Sequence, residues 1–343
     1  MKSLPYIVFE ATTSCNLNCS YCYTPWERRK IGYSHLNSYK NAIKTLKKLF
    51  SRVKVNQITM TGGEPFLSER FMELVLFCRM KGSFVSIITN GNSANEKDYI
   101  QLIDFGVNLF ELPIHSATCK IHDSMTGVKG SWKKSVNTVK EIIKNNAEAV
   151  AVTVITKLNC NVIGETIDFI YSLGIKRIML NRYNIGGRSI NNYSKILPDF
   201  DELNTAYSEA NKLGKNSDLT ITSNVCTPFC VLNPDKYPYI QFSSCASVFE
   251  KMPLTLDLLG NLRLCNHSPT VMGNIFKLKI EDILNSEKVK FWHSTIPDYC
   301  TDCKRYSKCK GGCRAASEQL GYSLKKIDPI VNILRKDRTY YVS

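Results

Sequence analysis

Three cysteines follow the first apolar run of the chain, in the segment IVFEATTSCNLNCSYCY of residues 7–23. Their spacing, C-x3-C-x2-C, places Cys15, Cys19 and Cys22 on one short loop. Three thiolates can hold three corners of a four-iron cluster, because soft sulfur ligands suit iron–sulfur chemistry. A structural zinc site normally takes four ligands. The spacing therefore favours a cluster with one open iron, and a zinc loop is the alternative.

Short apolar runs alternate with amphipathic stretches on both sides of this loop, over residues 5–217. Strands are predicted at 7–10, 57–61, 84–89, 109–114, 149–155 and 177–181. Helices are predicted at 38–49, 69–80, 97–105, 132–144, 162–173 and 201–213. Strand–helix repetition indicates parallel strands joined by right-handed crossovers. Because a full eight-stranded barrel takes about 250 residues, we predict an α/β fold with a partial (β/α)6 barrel.

Length and composition exclude several classes of protein. A chain of 343 residues suggests two domains, and its hydrophobic fraction of 43% is ordinary for a globular protein. No apolar run approaches the roughly 20 residues of a membrane span, and the start lacks the apolar stretch of a signal peptide. We therefore expect a cytoplasmic protein.

The net charge is strongly positive, at +15 from 45 Lys and Arg against 30 Asp and Glu. Such a balance can indicate an acidic partner, such as an acidic leader peptide or a nucleic acid. The basic residues are scattered, however, with no run of five. We interpret them as a solvated surface, and we expect neither nucleic acid nor a membrane as a partner.

Fourteen cysteines are far more than packing alone requires. Disulfides are not expected in a reducing compartment, so metal ligation is the remaining common use. Eight of the cysteines fall within residues 226–313. Cys78, Cys119 and Cys160 stand apart from these motifs and are expected to be inert thiols.

The cysteine loop resembles that of the radical S-adenosylmethionine (SAM) superfamily, in which the open iron binds the methionine part of SAM. Tyr21 matches the family's aromatic residue, which packs near adenine. TGGEP at residues 61–65 resembles the family's GGE motif, which meets the methionine amino group. Glycines at a strand end let backbone approach a ligand closely, so the resemblance assigns Gly62, Gly63 and Glu64 to the cofactor.

The resemblance extends to two further strand ends. Asn90, in the turn after the third strand, is similar to the family's ribose-side residue, with an ordinary Asn-Gly turn as the alternative. Many family members carry Ser-Leu-Asp-Gly on the fourth strand, where this chain has IHSA at residues 114–117. Ser116 is therefore only a candidate for the methionine carboxylate. His122 and Asp123 lie in another shared segment and are expected to be structural.

Arg182 follows the sixth predicted strand, together with Tyr183. We expect both at the barrel mouth, because active sites of such barrels gather at the carboxyl ends of the strands. Arg182 is a candidate for cofactor or substrate contact, and ordinary packing is the alternative.

The C-terminal cysteines resemble a SPASM domain, an extension found on radical enzymes that mostly modify peptides and proteins. The matching pattern is Cys245, then Gly260-x4-Cys265, then C-x2-C-x5-C-x3-C at residues 300–313. The resemblance implies a radical SAM domain at 1–217 and a SPASM domain at 218–343. A zinc ribbon at 300–313 is the alternative.

The resemblance also implies two sets of cluster ligands. The first auxiliary cluster takes Cys245, Cys265 and Cys313 with either Cys230 or Cys226. We favour Cys230, because Pro228 precedes it and Cys226 lies farther from Cys245. His267, beside Cys265, is expected to pack rather than ligate.

The second auxiliary cluster takes Cys300, Cys303 and Cys309 with a downstream cysteine, yet none follows Cys313. Asp328 is the favoured replacement. An open site and an incomplete cluster are the alternatives.

The resemblance implies an enzyme that reductively cleaves SAM and removes a hydrogen atom from its substrate. An external donor such as flavodoxin or ferredoxin would supply the electron. We predict a ribosomally made peptide or protein side chain as substrate, undergoing oxidative crosslinking or a related C–H modification. A small-molecule oxidase, epimerase or decarboxylase, including tetrapyrrole side-chain chemistry, is the alternative.

Two further expectations concern recognition and class. The first strand begins near residue 5, so we expect no leader-binding domain before it and a separate leader-binding protein as partner. A cluster-bearing electron-transfer protein is a third hypothesis, which the complete Gly62-Gly63-Glu64 motif disfavours.

Overall fold

Short apolar segments form one sheet in the computed structural model, which describes residues 3–28, 38–215, 218–246 and 251–335. The strands are β1 (Ser3–Glu10), β2 (Lys54–Thr61), β3 (Phe84–Ile88), β4 (Leu109–Pro113), β5 (Glu148–Ile155), β6 (Arg177–Arg182), β7 (Thr220–Ser223), β8 (Ile240–Phe242), β9 (Thr255–Asp257), β10 (Asn261–Arg263) and β11 (Gly273–Asn274). Their order in the sheet is β11-β10-β9-β1-β2-β3-β4-β5-β6-β7-β8. Strands β1 to β8 are parallel.

Helices follow most of the parallel strands. They are α1 (Tyr39–Phe50), α2 (Phe71–Met80), α3 (Glu96–Asp104), α4 (Cys119–Thr126), α5 (Ser131–Lys144), α6 (Ile163–Ser172), α7 (Tyr193–Ile196), α8 (Phe200–Leu213), α9 (Ile280–Leu284), α10 (Glu287–Ser294), α11 (Tyr306–Cys309), α12 (Arg314–Gln319) and α13 (Pro329–Leu334). Capping boxes at Asn95 and Asp199 start α3 and α8. Within the described ranges, no helix combines the length and the apolar character that crossing a membrane requires.

The predicted α/β fold is confirmed for the first six strand–helix units. Each predicted strand and helix is present, with ends that differ by at most a few residues. Helices α4, α7 and α9 to α13 and strands β7 to β11 were not predicted. Those strands have only two to four residues, so they carry no readable periodicity.

The cysteine-rich region continues the barrel sheet on both edges. Strand β9 pairs in parallel with β1, placing Val8 opposite Thr255, and β10 and β11 extend it in antiparallel fashion. Buried side chains of both regions form one hydrophobic cluster. The boundary predicted after residue 217 falls beside residues 216–217, which lie outside the described part of the chain.

Candidate cluster and cofactor sites

The cysteine loop lies against the GGE turn, because β1 and β2 are parallel neighbours and end at the same edge. The Gly63 amide donates to the Thr12 carbonyl at 2.9 Å, and the Glu64 amide donates to the Ser14 carbonyl at 2.7 Å. These bonds fix the backbone immediately before Cys15.

Both glycines are needed for this contact between the two loops. A Cβ atom on Gly62 would lie 2.2 Å from the Thr12 carbonyl oxygen, and one on Gly63 would lie 2.1 Å from the Ser14 oxygen. Gly62 also has φ of +146°, in a region that favours glycine. The motif therefore has a structural reason that the sequence did not reveal, namely close approach of backbone to backbone.

Glu64 joins the ends of the second and third strands. Its carboxylate is fully buried and accepts hydrogen bonds from the Thr89 hydroxyl and the Asn90 amide, both at 2.7 Å. Burial raises the pKa of Glu64 to about 7. The Asn90 side chain in turn donates to the Asn16 side chain at 2.8 Å. Glu64 and Asn90 thus lie beside the cysteine loop, as expected for a cofactor site.

Helix α4 supports the opposite side of the cysteine loop. The amides of Asn18 and Ser20 donate to the carbonyls of Thr126 and Met125, each at 2.9 Å. Asp123 accepts from the Gly130 amide at 2.6 Å and from the Trp132 amide at 2.8 Å, which fixes the turn after α4. The sequence signal for this helix was the shared segment around Asp123, whose contacts are structural.

The phenol of Tyr21 points toward the fourth strand end. Its oxygen lies 2.5 Å from Nε2 of His115. Because Nδ1 of His115 accepts from the Val154 amide, Nε2 carries the proton and donates to Tyr21. Tyr21 also hydrogen-bonds to Cys19. The aromatic residue of the motif is therefore tied to a predicted cluster ligand on one side and to a buried histidine on the other.

Ser116 is buried and lies two residues before Thr118, the N-cap of helix α4. Its hydroxyl accepts from the Thr118 amide at 3.1 Å, and its carbonyl accepts from the Trp132 indole at 3.0 Å. The candidate for the methionine carboxylate is thus engaged in local structure.

Arg182 does not lie at the open barrel mouth, contrary to the expected placement. Only 1% of its side chain is exposed, and it forms an ion pair with Asp328. It also donates to the Thr227 hydroxyl at 3.1 Å and the Cys226 carbonyl at 2.8 Å. The barrel strand β6 uses this guanidinium to anchor the cysteine-rich region.

A first C-terminal group of thiols consists of Cys226, Cys245, Cys265 and Cys313. A hydrogen bond to Cys245 and burial raise the pKa of Cys226, and Cys313 and Cys265 are near enough to add to the effect. The predicted fourth member, Cys230, is not in this group. Cys226 replaces it, because the loop after β7 brings residue 226 to the Arg182 anchor.

Polar groups surround this first C-terminal group. The His267 amide donates to the Cys265 sulfur at 3.3 Å, and the Asn184 side chain donates to the Cys313 sulfur at 3.4 Å. Donors of this kind stabilise thiolates and tune cluster potentials. The His267 ring packs at 3.7 Å from that of Tyr23, which directly follows Cys22. The first group therefore adjoins the N-terminal cysteine loop.

A second C-terminal group contains Cys300, Cys303 and Cys309. Burial raises the pKa of Cys300 to about 12, with further contributions from Cys309, Cys230 and Cys303. Asp328, the favoured replacement ligand, lies elsewhere. It accepts from the Cys313 amide at 2.8 Å and from the Ile330 amide at 3.1 Å, and so caps α13 beside the first group. These contacts engage both carboxylate oxygens beside the first group, contrary to the expectation that Asp328 faces the second.

The donor sets fit iron–sulfur clusters. All fourteen cysteines are free, and thiols gather in three groups with amide donors at several sulfurs, as cluster ligation requires. Among the described residues, no three His, Cys, Asp or Glu side chains are arranged to hold a single metal ion. Cys78 and Cys160 are buried in the core and Cys119 is exposed at the start of α4.

One residue that the sequence did not single out faces the barrel interior. Glu111 alternates on β4 with the fully buried Phe110 and Leu112, and its charge acts on Tyr6 of β1 and on Tyr23. Because β1 and β4 are not neighbours in the sheet, this interaction crosses the interior. Burial raises the pKa of Glu111 to about 7.

Two family models match the chain. The model for the radical SAM superfamily matches residues 9–170, and the SPASM model, described as an iron–sulfur cluster-binding domain, matches residues 245–310. Cys226, Cys230 and Cys313 lie outside the second match.

Named relatives align with nearly the whole chain. The PqqA peptide cyclase of Methylocella silvestris is 21% identical, covering 95% of this chain and 87% of the relative. The antilisterial bacteriocin subtilosin biosynthesis protein AlbA of Bacillus subtilis is 27% identical, covering 90% and 66%.

Solved structures share the fold. SuiB of Streptococcus suis superposes with a TM-score of 0.71 at 18% identity, covering 95% of this chain and 76% of SuiB. The structure of anSMEcpe with bound AdoMet has a TM-score of 0.72 at 16% identity, covering 95% and 93%. These likenesses show that the fold is shared. The two family matches identify the chain as an enzyme of the radical SAM superfamily with a SPASM iron–sulfur domain.

Proposed function

We propose that this enzyme modifies a ribosomally made peptide or a protein side chain, by oxidative crosslinking or a related C–H modification. The observation that carries the proposal is the contact between Tyr23, which follows Cys22, and Asn266, which follows Cys265. The Asn266 side chain donates to the Tyr23 hydroxyl at 2.9 Å, so a site of radical formation adjoins a site that can take up an electron.

The relatives support a peptide substrate. They include PqqA peptide cyclases, a sporulation killing factor maturation protein, SuiB bound to the precursor peptide SuiA and anSMEcpe bound to a Cp18Cys peptide. The SPASM match places this chain among enzymes with auxiliary clusters, and such clusters suit reactions that remove electrons from a substrate.

Cys15, Cys19 and Cys22 would hold the first cluster, with Tyr21, Gly62, Gly63, Glu64 and Asn90 on the SAM side. When bound, the cluster and SAM supply one-electron cleavage of SAM and removal of a substrate hydrogen atom. The protein's own part is to hold the loop in place through the GGE turn and α4. Glu111 is our candidate for a substrate-facing group.

Three partners or conditions complete the proposal. An external donor such as flavodoxin or ferredoxin supplies electrons, and a separate leader-binding protein presents the peptide. The fourteen free thiols suit a reducing compartment, so we place the enzyme in the cytoplasm.

The test uses reconstituted enzyme, reductant, SAM and synthetic peptides encoded by short reading frames next to its own. We expect a peptide product that lacks a pair of hydrogen atoms, and deoxyadenosine formation that rises when peptide is added. Glu111→Gln should reduce the peptide product more than deoxyadenosine. Deoxyadenosine formation that no peptide alters, with no peptide product, would contradict the proposal.

A further inference from the structure

The second C-terminal group lacks the downstream cysteine that was expected to supply its fourth ligand. Cys300, Cys303 and Cys309 supply three thiolates, whereas four-iron clusters usually take four cysteines. No cysteine follows Cys313, and Asp328 is committed to Arg182 and to the Cys313 amide. Among the residues that the structure describes, we therefore expect the fourth ligand in an upstream segment.

The loop after β7 is docked on this group by its backbone. The Phe229 amide donates to the Cys309 sulfur at 3.3 Å. The Val231 amide donates to the Pro228 carbonyl at 2.8 Å, so residues 228–231 form a tight turn. Cys230 therefore lies in this turn directly after Phe229, whose amide contacts a thiol of the second group.

A second set of contacts holds the same turn from its other end. The guanidinium of Arg305 lies 5.1 Å from the centre of the Phe229 ring. It donates to the Asn233 and Asp235 side chains, both at 2.8 Å. Because Arg305 lies between Cys303 and Cys309 in the chain, this clamp holds the turn of Cys230 against the segment that carries the three thiols.

The two cysteine pairs are arranged alike. Cys226 and Cys230 are separated by three residues, as are Cys309 and Cys313. The middles of the two segments meet, because a Cβ atom on Gly312 would lie 2.5 Å from Cγ of Pro228. Cys226 lies beside Cys313, and Cys230 lies beside Cys309 and Cys300. Each pair thus gives one thiol to each group.

We propose that Cys230 is the fourth ligand of the second auxiliary cluster, in place of the missing downstream cysteine. The inference rests on the proposed cluster-bearing function. It assigns four thiolates to each auxiliary cluster: Cys226, Cys245, Cys265 and Cys313 to the first, and Cys230, Cys300, Cys303 and Cys309 to the second. The two C-x3-C segments then bridge the clusters covalently.

The test is made in the full chain with Cys15, Cys19 and Cys22 all changed to Ala, so that only auxiliary clusters remain. After anaerobic reconstitution this protein should hold roughly eight iron atoms. Cys230→Ala should remove up to half of that iron or convert one cluster to a three-iron form, seen by Mössbauer and electron paramagnetic resonance spectra. Cys230→Ser should retain the iron and shift one reduction potential, because serine oxygen can still ligate.

Combined variants decide which cluster Cys230 serves. Cys230→Ala with Cys300→Ala should lose no more iron than Cys300→Ala alone, whereas Cys230→Ala with Cys245→Ala should lose both clusters. Cys226→Ala is the matched control and should give the reverse pattern. Unchanged iron and spectra in Cys230→Ala and Cys230→Ser would overturn the assignment while Cys300→Ala still lowers iron. If Cys300→Ala also changes nothing, the second cluster is absent and the assignment fails with it.

Discussion

The N-terminal cysteine loop and the C-terminal thiol groups reach the same kind of donor set by different routes. Cys15, Cys19 and Cys22 all lie on one loop, which the GGE turn and α4 hold from two sides. The C-terminal cysteines come from separate segments distributed over residues 226–313. Their grouping depends on contacts such as Pro228 with Gly312 and Arg182 with Asp328. The ligands of a local motif can therefore be identified from the sequence alone. The ligands of a dispersed set can be identified only together with the packing that assembles them.

The largest effect is expected from removing a thiol of the N-terminal loop. Cys19→Ala should abolish SAM cleavage, because two thiolates cannot hold the site-differentiated cluster, while the auxiliary iron is retained. Deoxyadenosine assays and iron analysis measure both. Cys119→Ala removes an exposed thiol outside the three groups and should leave cleavage intact. Loss of all iron in Cys19→Ala would show that the two regions do not load independently.

A smaller but still large effect is expected where the loop is only displaced. Gly63→Ala places a methyl group 2.1 Å from the Ser14 carbonyl oxygen. The cysteine loop must therefore move. A shift of about 1 Å can cost about 100-fold in rate, and we expect SAM cleavage to fall on that scale with auxiliary iron unchanged. Gly164→Ala, where a Cβ meets nothing within 4 Å, is the control. An unaltered rate in Gly63→Ala would mean that the GGE turn does not position the loop.

The regular part of the fold could be predicted from the sequence, because its strands and helices are long enough to show a hydrophobic periodicity. Strands β1 to β6 have five to eight residues, and helices of up to 14 residues separate them. The short strands β7 to β11 and the polar helix α4 carry no such pattern. Their positions come from pairing with β1 and β6 and from contacts with the cysteine loop, which are tertiary.

The division of the C-terminal thiols between two groups, and the role of Asp328, show why the site could be predicted only in part from the sequence. Asp328 precedes Pro329, a pattern interpreted as an extended residue that could aim its carboxylate at a cluster. The same pattern is a helix start, with Asp as N-cap and Pro at the first helical position. The choice between Cys226 and Cys230 had no local signal, because it depends on the docking of a turn onto residues 305–312.

The buried ion pair tests the anchor on which the dispersed group depends. Asp328→Ala leaves the Arg182 charge buried without its partner, and such a change costs about 3–5 kcal/mol in unfolding free energy. Iron of the first auxiliary cluster should fall, because Arg182 and Asp328 hold the backbone of Cys226 and Cys313. Asp282→Ala, at an exposed position, is the control. Replacing both partners together, Arg182→Met with Asp328→Leu, should recover part of the stability. If Asp328→Ala loses only the second cluster, that result would instead indicate that Asp328 is a ligand of that cluster.

The smallest effect concerns the joint between the two regions. Gln319 is buried in α12 and contacts both sides: its amide donates to the carbonyls of Tyr23 at 2.9 Å and His267 at 2.7 Å. Its carbonyl accepts from the Gly187 amide at 2.6 Å. Gln319→Leu leaves buried polar groups without this partner, which costs about 1–3 kcal/mol. Denaturant unfolding of the loaded protein measures the loss, and Gln101→Leu makes the same change on an exposed face of α3.

The shape of that unfolding curve matters more than its midpoint. If the cysteine loop and the C-terminal groups form one cooperative unit through the shared core, Gln319→Leu shifts a single transition to lower denaturant without splitting it. Two separated transitions, with the C-terminal thiols released first, would show that the regions fold apart and only touch at Tyr23. The contrast between a local and a dispersed ligand set would then extend to stability, because the loop could survive without the domain that adjoins it.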